Sequence, residues 1–214
     1  MDLGLQDRAC VITGASRGIG RATALMLAGE DASLLLVGRS QAELDEVGRA
    51  CGERTRSLAL DVTQPDAGRR LVDACLDAFG RLDGLVNNAG TSQVRSLDEL
   101  ADEDWQAQWE LHVMAPMRAM RAAAPVMAKH GWGRIVNVSS SSGKRPGQRN
   151  IAYSVTKAAV LSLSRAFADA YAGEGVLINA LTPGPIGTEL WLQEGGMADQ
   201  TARVQGISRD EVLR

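Results

Sequence analysis

The chain is poor in the side chains that build metal and disulfide chemistry. Its 214 residues include two histidines, His112 and His130, and three cysteines, Cys10, Cys51 and Cys75. So few histidines and such scattered thiols give no cluster of zinc spacing, and no metal is expected. The cysteines are odd in number and form no C-x-x-C pair. That excludes a disulfide framework and places them as core or helix residues in a reducing cytoplasm. No apolar run approaches the roughly 20 residues of a membrane span, so no membrane partner is expected. Neither sign of charge dominates, with 23 Lys and Arg against 26 Asp and Glu and a net charge of −3. Bulk charge therefore gives no case for a nucleic-acid partner. Met1-Asp2-Leu3-Gly4 leads into the first apolar run with no signal-peptide pattern, again an expectation of a cytoplasmic protein. Internal repeats, low-complexity tracts and Pro/Ser-rich linkers are absent as well, so one domain over residues 1–214 is expected.

What is present is a regular alternation of short apolar runs with helix-periodic segments. Strands are expected at Ala9–Thr13, Leu34–Val37, Ser57–Leu60, Gly84–Val86, Arg134–Val138 and Leu177–Ala180. Helices are expected at Gly18–Ala28, Gln41–Cys51, Asp66–Phe79, Asp104–Lys129 and Ala152–Ala172. Strand–helix alternation with right-handed crossovers gives an α/β fold, a doubly wound parallel sheet of Rossmann type. Ligands in such sheets bind beyond the strand carboxyl ends. Gly14, Gly38, Asp61, Asn88, Ser140 and Pro183 all fall at such ends, so they converge on one crevice.

Two local patterns carry chemistry. Thr13-Gly14-Ala15-Ser16-Arg17-Gly18-Ile19-Gly20 joins the first strand to the first helix. Glycine permits positive φ in a tight turn and lets a pyrophosphate approach the backbone. The following helix offers its free N–H groups to phosphate. Farther on, Tyr153 and Lys157 lie four apart on a helical pattern and share a face. A positive charge beside a phenol lowers its pKa from about 10, which suits a general acid–base.

Taken with four further segments, these residues resemble the short-chain dehydrogenase/reductase family, in its compact, 3-oxoacyl-reductase-like form. The T-G-x-x-x-G-x-G turn is Thr13 to Gly20. Asp61-Val62 resembles the family's adenine-side contact. Asn87-Asn88-Ala89-Gly90 matches its N-N-A-G segment. Ser140 precedes Tyr153 by the family's interval for a catalytic serine. Pro183-Gly184-Pro185-Ile186-Gly187-Thr188 matches its P-G-x-x-x-T segment bordering the nicotinamide. The resemblance implies a hydride-transfer enzyme acting on a small carbonyl/alcohol substrate. In it Tyr153 is the general acid–base, and Ser140 holds the substrate oxygen. Lys157 lowers the tyrosine pKa and binds the nicotinamide ribose, while Ile186 and Thr188 secure the carboxamide. The dinucleotide contacts implied are Gly14, Ser16, Arg17, Gly18, Ile19, Gly20, Arg39, Asp61, Val62, Asn88, Ala89, Gly90, Tyr153, Lys157, Pro183, Gly184, Ile186 and Thr188.

The chain departs from the family at His112, where an asparagine usually helps hold a water linking the lysine to solvent. A neutral imidazole also has one donor and one acceptor nitrogen, and its pKa near 6.5 would add a titration. The alternative is a tolerated substitution on a buried helix face. A second departure is the end of the chain, because the family implies a further helix and edge strand beyond Arg214. A catalytically silent dinucleotide-binding scaffold is the rival from another class. A sugar-nucleotide epimerase is disfavoured because Gly14, Gly18 and Gly20 do not fit G-x-x-G-x-x-G.

Cofactor choice is read at the end of the second strand. Gly38 stands where NAD-preferring members carry aspartate. Arg39 follows, and Arg17 sits in the glycine turn. Two guanidiniums can clamp a 2′-phosphate, which favours NADP(H) over NAD(H). The apolar segment after Thr188 is expected to act as a lid over about residues 188–214, and the basic loop Gly143 to Arg149 lies near the site in chain order. Small residues at Ala115, Ala119, Ala122, Ala123, Ala158, Ala159 and Ser162 suggest close pairing of two helices between subunits, in a homo-tetramer or dimer.

Overall fold

The computed structural model describes residues 3–92, 94–147 and 150–213. Six parallel strands form one sheet: β1 (Ala9–Thr13), β2 (Ser33–Gly38), β3 (Thr55–Ala59), β4 (Gly84–Asn87), β5 (Gly133–Val138) and β6 (Val176–Leu181). Their order is β3-β2-β1-β4-β5-β6. The order reverses between β1 and β4, which opens a crevice there. Helices fill the crossovers: α1 (Gly18–Ala28), α2 (Gln41–Cys51), α3 (Ala67–Phe79), α4 (Asp102–Trp109), α5 (Ala115–Lys129) and α6 (Ile151–Tyr171). Three short helices close the chain: α7 (Glu189–Leu192), α8 (Met197–Gln205) and α9 (Arg209–Val212).

Strand alternation divides the core. On β1, Ala9 and Val11 point into one cluster and Cys10 and Ile12 into the other. On β2, Leu35 and Val37 join the first, while Leu34 and Leu36 join the second. This is the period-two geometry of a strand with both faces covered. One cluster lies under α3, α5 and α6 and the other under α1 and α2. Each buried leucine in them contributes about 2 kcal/mol of transfer free energy. Cys10 and Cys75 are core residues whose thiols burial pushes up to about 12, so neither is a ready nucleophile. The sheet is tied at its amino end by Asp83. Its carboxylate accepts from Ala9 N (2.8 Å), Arg8 Nη1 (3.1 Å) and Arg81 Nε (2.6 Å).

The expected elements are all present, with two instructive shifts. β3 starts earlier than expected, because register with β2 pairs Leu34 with Thr55 and Gly38 with Ala59. The long helix expected over 104–129 is broken by a π-helical turn at Glu110–Met114. Burial also removes part of the reason for pairing helices between subunits. Ala115, Ala119 and Ala123 are buried within this chain, with Ala119 and Ala123 in the core cluster. No helix of the described residues is long and apolar enough to cross a membrane.

Candidate active site

A crevice of about 760 Å³ runs along the carboxyl ends of the strands, within the size range of small-molecule and cofactor pockets. The glycine turn forms one wall. Gly14 and Gly18 take positive φ, 65° and 56°. Gly20 is glycine for a different reason, since a Cβ there would lie 2.2 Å from Gly14 O. Thr13 stitches this turn to the Asn87–Gly90 segment, its Oγ1 accepting from Asn88 N (3.0 Å) and Ala89 N (3.1 Å). Asn88 Nδ2 donates back to the carbonyls of Thr13 (3.0 Å) and Gly14 (3.1 Å). Two segments 75 residues apart are thus tied together as one floor of the crevice.

At one end, Arg17, Gly38, Arg39, Asp61 and Val62 line the crevice. Arg17 and Arg39 are exposed. The Asp61 carboxylate accepts from Thr63 N (2.9 Å) and Thr63 Oγ1 (2.8 Å). Those bonds hold its pKa below the ordinary value, with a smaller contribution from the nearby Arg39 charge.

Toward the other end stand Ser140, Tyr153 and Lys157. The tip of β5 is clamped to α6 by two bonds, Ser139 Oγ donating to Lys157 O (2.7 Å) and Lys157 Nζ donating to Val138 O (2.8 Å). Ser140 Oγ accepts from Ser142 N (3.1 Å). Ser142 Oγ accepts in turn from Asn150 Nδ2 (3.3 Å), so the serine run settles into loop hydrogen bonds with Ser140 facing the phenol. Burial raises the Tyr153 pKa above its ordinary value, and a hydrogen bond with Ser140 opposes the rise. The Lys157 charge is not among the causes of this shift. The ammonium lies 5.5 Å from the ring centroid and is directed at Val138 O. Lys157 is 5% exposed, and burial pushes its own pKa down to about 8.

Every sequence-predicted site residue lines the crevice except Gly20 and His112. Gly20 sits behind the turn as a packing residue. His112 is 2% exposed and lines only a small cavity of about 20 Å³ behind Lys157, with Asn87 and Asn137. Thr91 N donates to its Nε2 (3.2 Å), and its Nδ1 meets Thr156 Oγ1 (3.1 Å). Both ring nitrogens are engaged, so neither is left to hold a water as the family asparagine does. Burial, then the Lys157 charge, lowers its pKa well below the ordinary value. The titration expected near neutral pH is therefore absent.

Several residues of the site gave no sequence signal. The Glu189 carboxylate accepts from Gly18 N at 3.1 Å, at the head of α1. Gln200 of α8 accepts from Val94 N (3.1 Å) and donates to Gly195 O (2.8 Å), which ties the post-Thr188 segment to the loop after β4. Ser92 Oγ and Gln108 Oε1 are buried without a hydrogen-bond partner, and both residues line the crevice. In the basic loop, Gln148 and Arg149 lie outside the described residues. No group of His, Cys, Asp and Glu side chains among the described residues could hold a metal ion.

A family model described as short chain dehydrogenase matches residues 8–197. The 3-oxoacyl-[acyl-carrier-protein] reductase of Thermotoga maritima is 34% identical over 203 residues, covering 92% of this chain and 82% of that protein. The L-sorbose reductase of Gluconobacter frateurii, solved with NADPH and L-sorbose, matches with a TM-score of 0.90 and 36% identity over 100% of this chain and 81% of its own. An NAD+-bound xylitol dehydrogenase matches with a TM-score of 0.81 and 29% identity, covering 84% of this chain and 71% of its own. With the sheet order, the glycine turn and the serine–tyrosine–lysine wall in place, these matches show that the chain belongs to the short-chain dehydrogenase family, an NAD(P)-dependent enzyme acting on a CH–OH/carbonyl pair.

Proposed function

We propose that the protein is an NADP(H)-dependent carbonyl reductase in which Tyr153 is the general acid. The observation that carries this reading is the convergence of Ser140, Tyr153 and Lys157 on the crevice that the glycine turn floors. The dinucleotide supplies the hydride that the carbonyl carbon accepts. Tyr153 donates its proton to the carbonyl oxygen. A phenol is protonated at neutral pH, so it can act as the proton donor in the reductive direction. Ser140 donates a hydrogen bond to the same oxygen and holds it in line with the phenol. Lys157 binds the nicotinamide ribose hydroxyls and, once turned from Val138 O toward them, brings positive charge to the phenolate formed. Ile186 and Thr188 hold the carboxamide, and the remaining crevice residues cradle the rest of the dinucleotide. Residues 188–213 form the lid.

NADP(H) is favoured over NAD(H) by Gly38, which offers no carboxylate to the ribose, and by exposed Arg17 and Arg39 in the same crevice. The NADPH bound by the L-sorbose reductase supports this reading. The substrate class is a small, hydroxylated carbonyl compound. Buried Ser92 Oγ and Gln108 Oε1 lack protein partners, and a buried polar atom is costly unless a hydrogen bond satisfies it. The L-sorbose named for the related reductase is of that class. Assembly is homo-oligomeric, supported by Trp109 of α4 and Val155 of α6, which remain exposed on neighbouring helices. The compartment is the cytoplasm, consistent with three free thiols.

The test is NADPH oxidation over a panel of ketoses and alkyl ketones. Turnover is expected for wild type and lost in Tyr153→Phe, with NADPH binding retained. Near-normal kcat in that variant would overturn the mechanism. NADPH is expected to bind at least about tenfold tighter than NADH, about 1.4 kcal/mol. Arg39→Asp should reverse the order, and equal dissociation constants in calorimetry would refute the preference. Light scattering tests the assembly.

A further inference from the structure

We propose that His112 is a positioning residue that sets the catalytic phenol through Thr156, acting as a neutral imidazole protonated on Nδ1. The proton assignment follows from the bonds. Thr91 N–H can only donate, so His112 Nε2 accepts and carries no proton. A neutral ring then carries its proton on Nδ1 and donates to Thr156 Oγ1 (3.1 Å). Thr156 Oγ1 has one proton, and it donates that to the carbonyl of Tyr153 (2.8 Å). The chain of bonds therefore runs in one direction, from the loop after β4, through the imidazole, to the backbone of Tyr153.

A second contact acts on the phenol itself. The imidazole and the Tyr153 ring meet edge to face, with centroids 5.3 Å apart and planes at 86°, an arrangement aromatic rings favour. The fold makes room for both contacts. The π-helical turn Glu110–Met114 carries His112 inward, and such turns recur at functional sites. Gly90 has no side chain to block it, since a Cβ there would lie 3.2 Å from Nε2. His112, Thr156 and Lys157 are all buried, so this linkage is held by packing on every side. Its effect is to fix the spacing between the strand-end loop at Thr91 and the helix that bears the acid. A small misplacement of a reacting group costs up to about 100-fold in rate, and His112 is placed to prevent one.

The inference rests on the reductase reading, and the tests separate the two. His112→Phe keeps a ring and removes both hydrogen bonds, while Thr156→Val cuts only the link to Tyr153. Each is expected to lower kcat by about 10- to 100-fold, with the ketone KM and the NADPH Kd within about threefold of wild type. The double variant should lose no more than either single variant, because the two residues act in series. His112→Asn, which retains a donor and an acceptor, should recover part of kcat. Additive losses, an inert Thr156→Val, or losses in KM and Kd equal to that in kcat would overturn the proposal and leave His112 as packing. Independently of turnover, ¹⁵N NMR of the labelled imidazole at neutral pH should show one neutral ring protonated on Nδ1. An Nε2-protonated or charged ring would overturn it even in an active enzyme. Absence of any NADPH-dependent turnover in the wild type, with the Nδ1–H ring observed, would instead count against the reductase reading and with it the positioning role given to His112.

Discussion

At the residue scale, a carboxylate stands at the glycine turn, where a dinucleotide phosphate is expected. Glu189 Oε2 accepts from Gly18 N at 3.1 Å, at the positive end of α1. A dinucleotide pyrophosphate seated on the same turn must displace that carboxylate or lie against its charge. Glu189→Gln keeps the size and removes the charge. It is expected to tighten NADPH by about 3- to 10-fold, or about 0.6–1.4 kcal/mol, in a fluorescence titration, with a smaller gain at high salt. Unchanged or weaker binding would show that the carboxylate does not compete. Nothing in Thr188-Glu189-Leu190 marks this contact in sequence, because it joins residues 171 positions apart. Tyr153 and Lys157 were legible because helical spacing puts them on one face, and Ser140 because of the family resemblance. Their protonation was not, since burial outweighs the charge that spacing brings near. The Tyr153 pKa goes up and the Lys157 pKa goes down to about 8, both through loss of solvent.

At the element scale, the strand–turn–helix unit is the most legible part of the fold. β1 and α1 have the bounds expected from apolar runs and periodicity. The turn between them needs glycine for two distinct reasons, and they separate experimentally. Gly18→Ala meets only ordinary contacts, the nearest being Thr188 Cβ at 3.5 Å, but must hold φ at 56°, a strain of about 1 kcal/mol. Gly20→Ala has no φ problem but drives its Cβ to 2.2 Å from Gly14 O and 2.6 Å from Asn88 Nδ2. Gly18→Ala is expected to fold and bind NADPH weakly. Gly20→Ala is expected to lose cooperative thermal unfolding or bind no NADPH at all. A Gly20→Ala protein with normal Tm and Kd would refute this division. The π-helical turn was invisible to periodicity for a physical reason. One inserted residue shifts the apolar stripe by a fraction of a turn, which a window spanning 104–129 averages away.

At the scale of the whole molecule, the sheet opens at one end for ligand and is closed at the other by charge. Asp83, buried where β4 begins, accepts from Ala9 N of β1 and from Arg8 and Arg81. At the outer strand β6, Leu177 and Leu181 are 44% and 55% exposed. Burial alone would raise the Asp83 pKa, but the Arg81, Ala9 and Arg8 hydrogen bonds outweigh it and hold the carboxylate below its ordinary value. A group with a depressed folded pKa contributes its stability above the unfolded pKa, about 3.9. It loses that contribution as pH falls through the lower, folded value. Asp83→Asn removes the charge and leaves one acceptor for Ala9 N. It is expected to cost about 2 kcal/mol at neutral pH, within the range for breaking a buried charge-assisted bond. Urea midpoints of wild type and variant should therefore differ by a constant amount from about pH 8 down to about pH 5 and converge as the pH falls below about 4. The difference between the two proteins isolates this carboxylate from the acids they share. A gap that persists undiminished into that acidic range would show that Asp83 stabilises the sheet by shape and neutral hydrogen bonding, and that its charge is incidental.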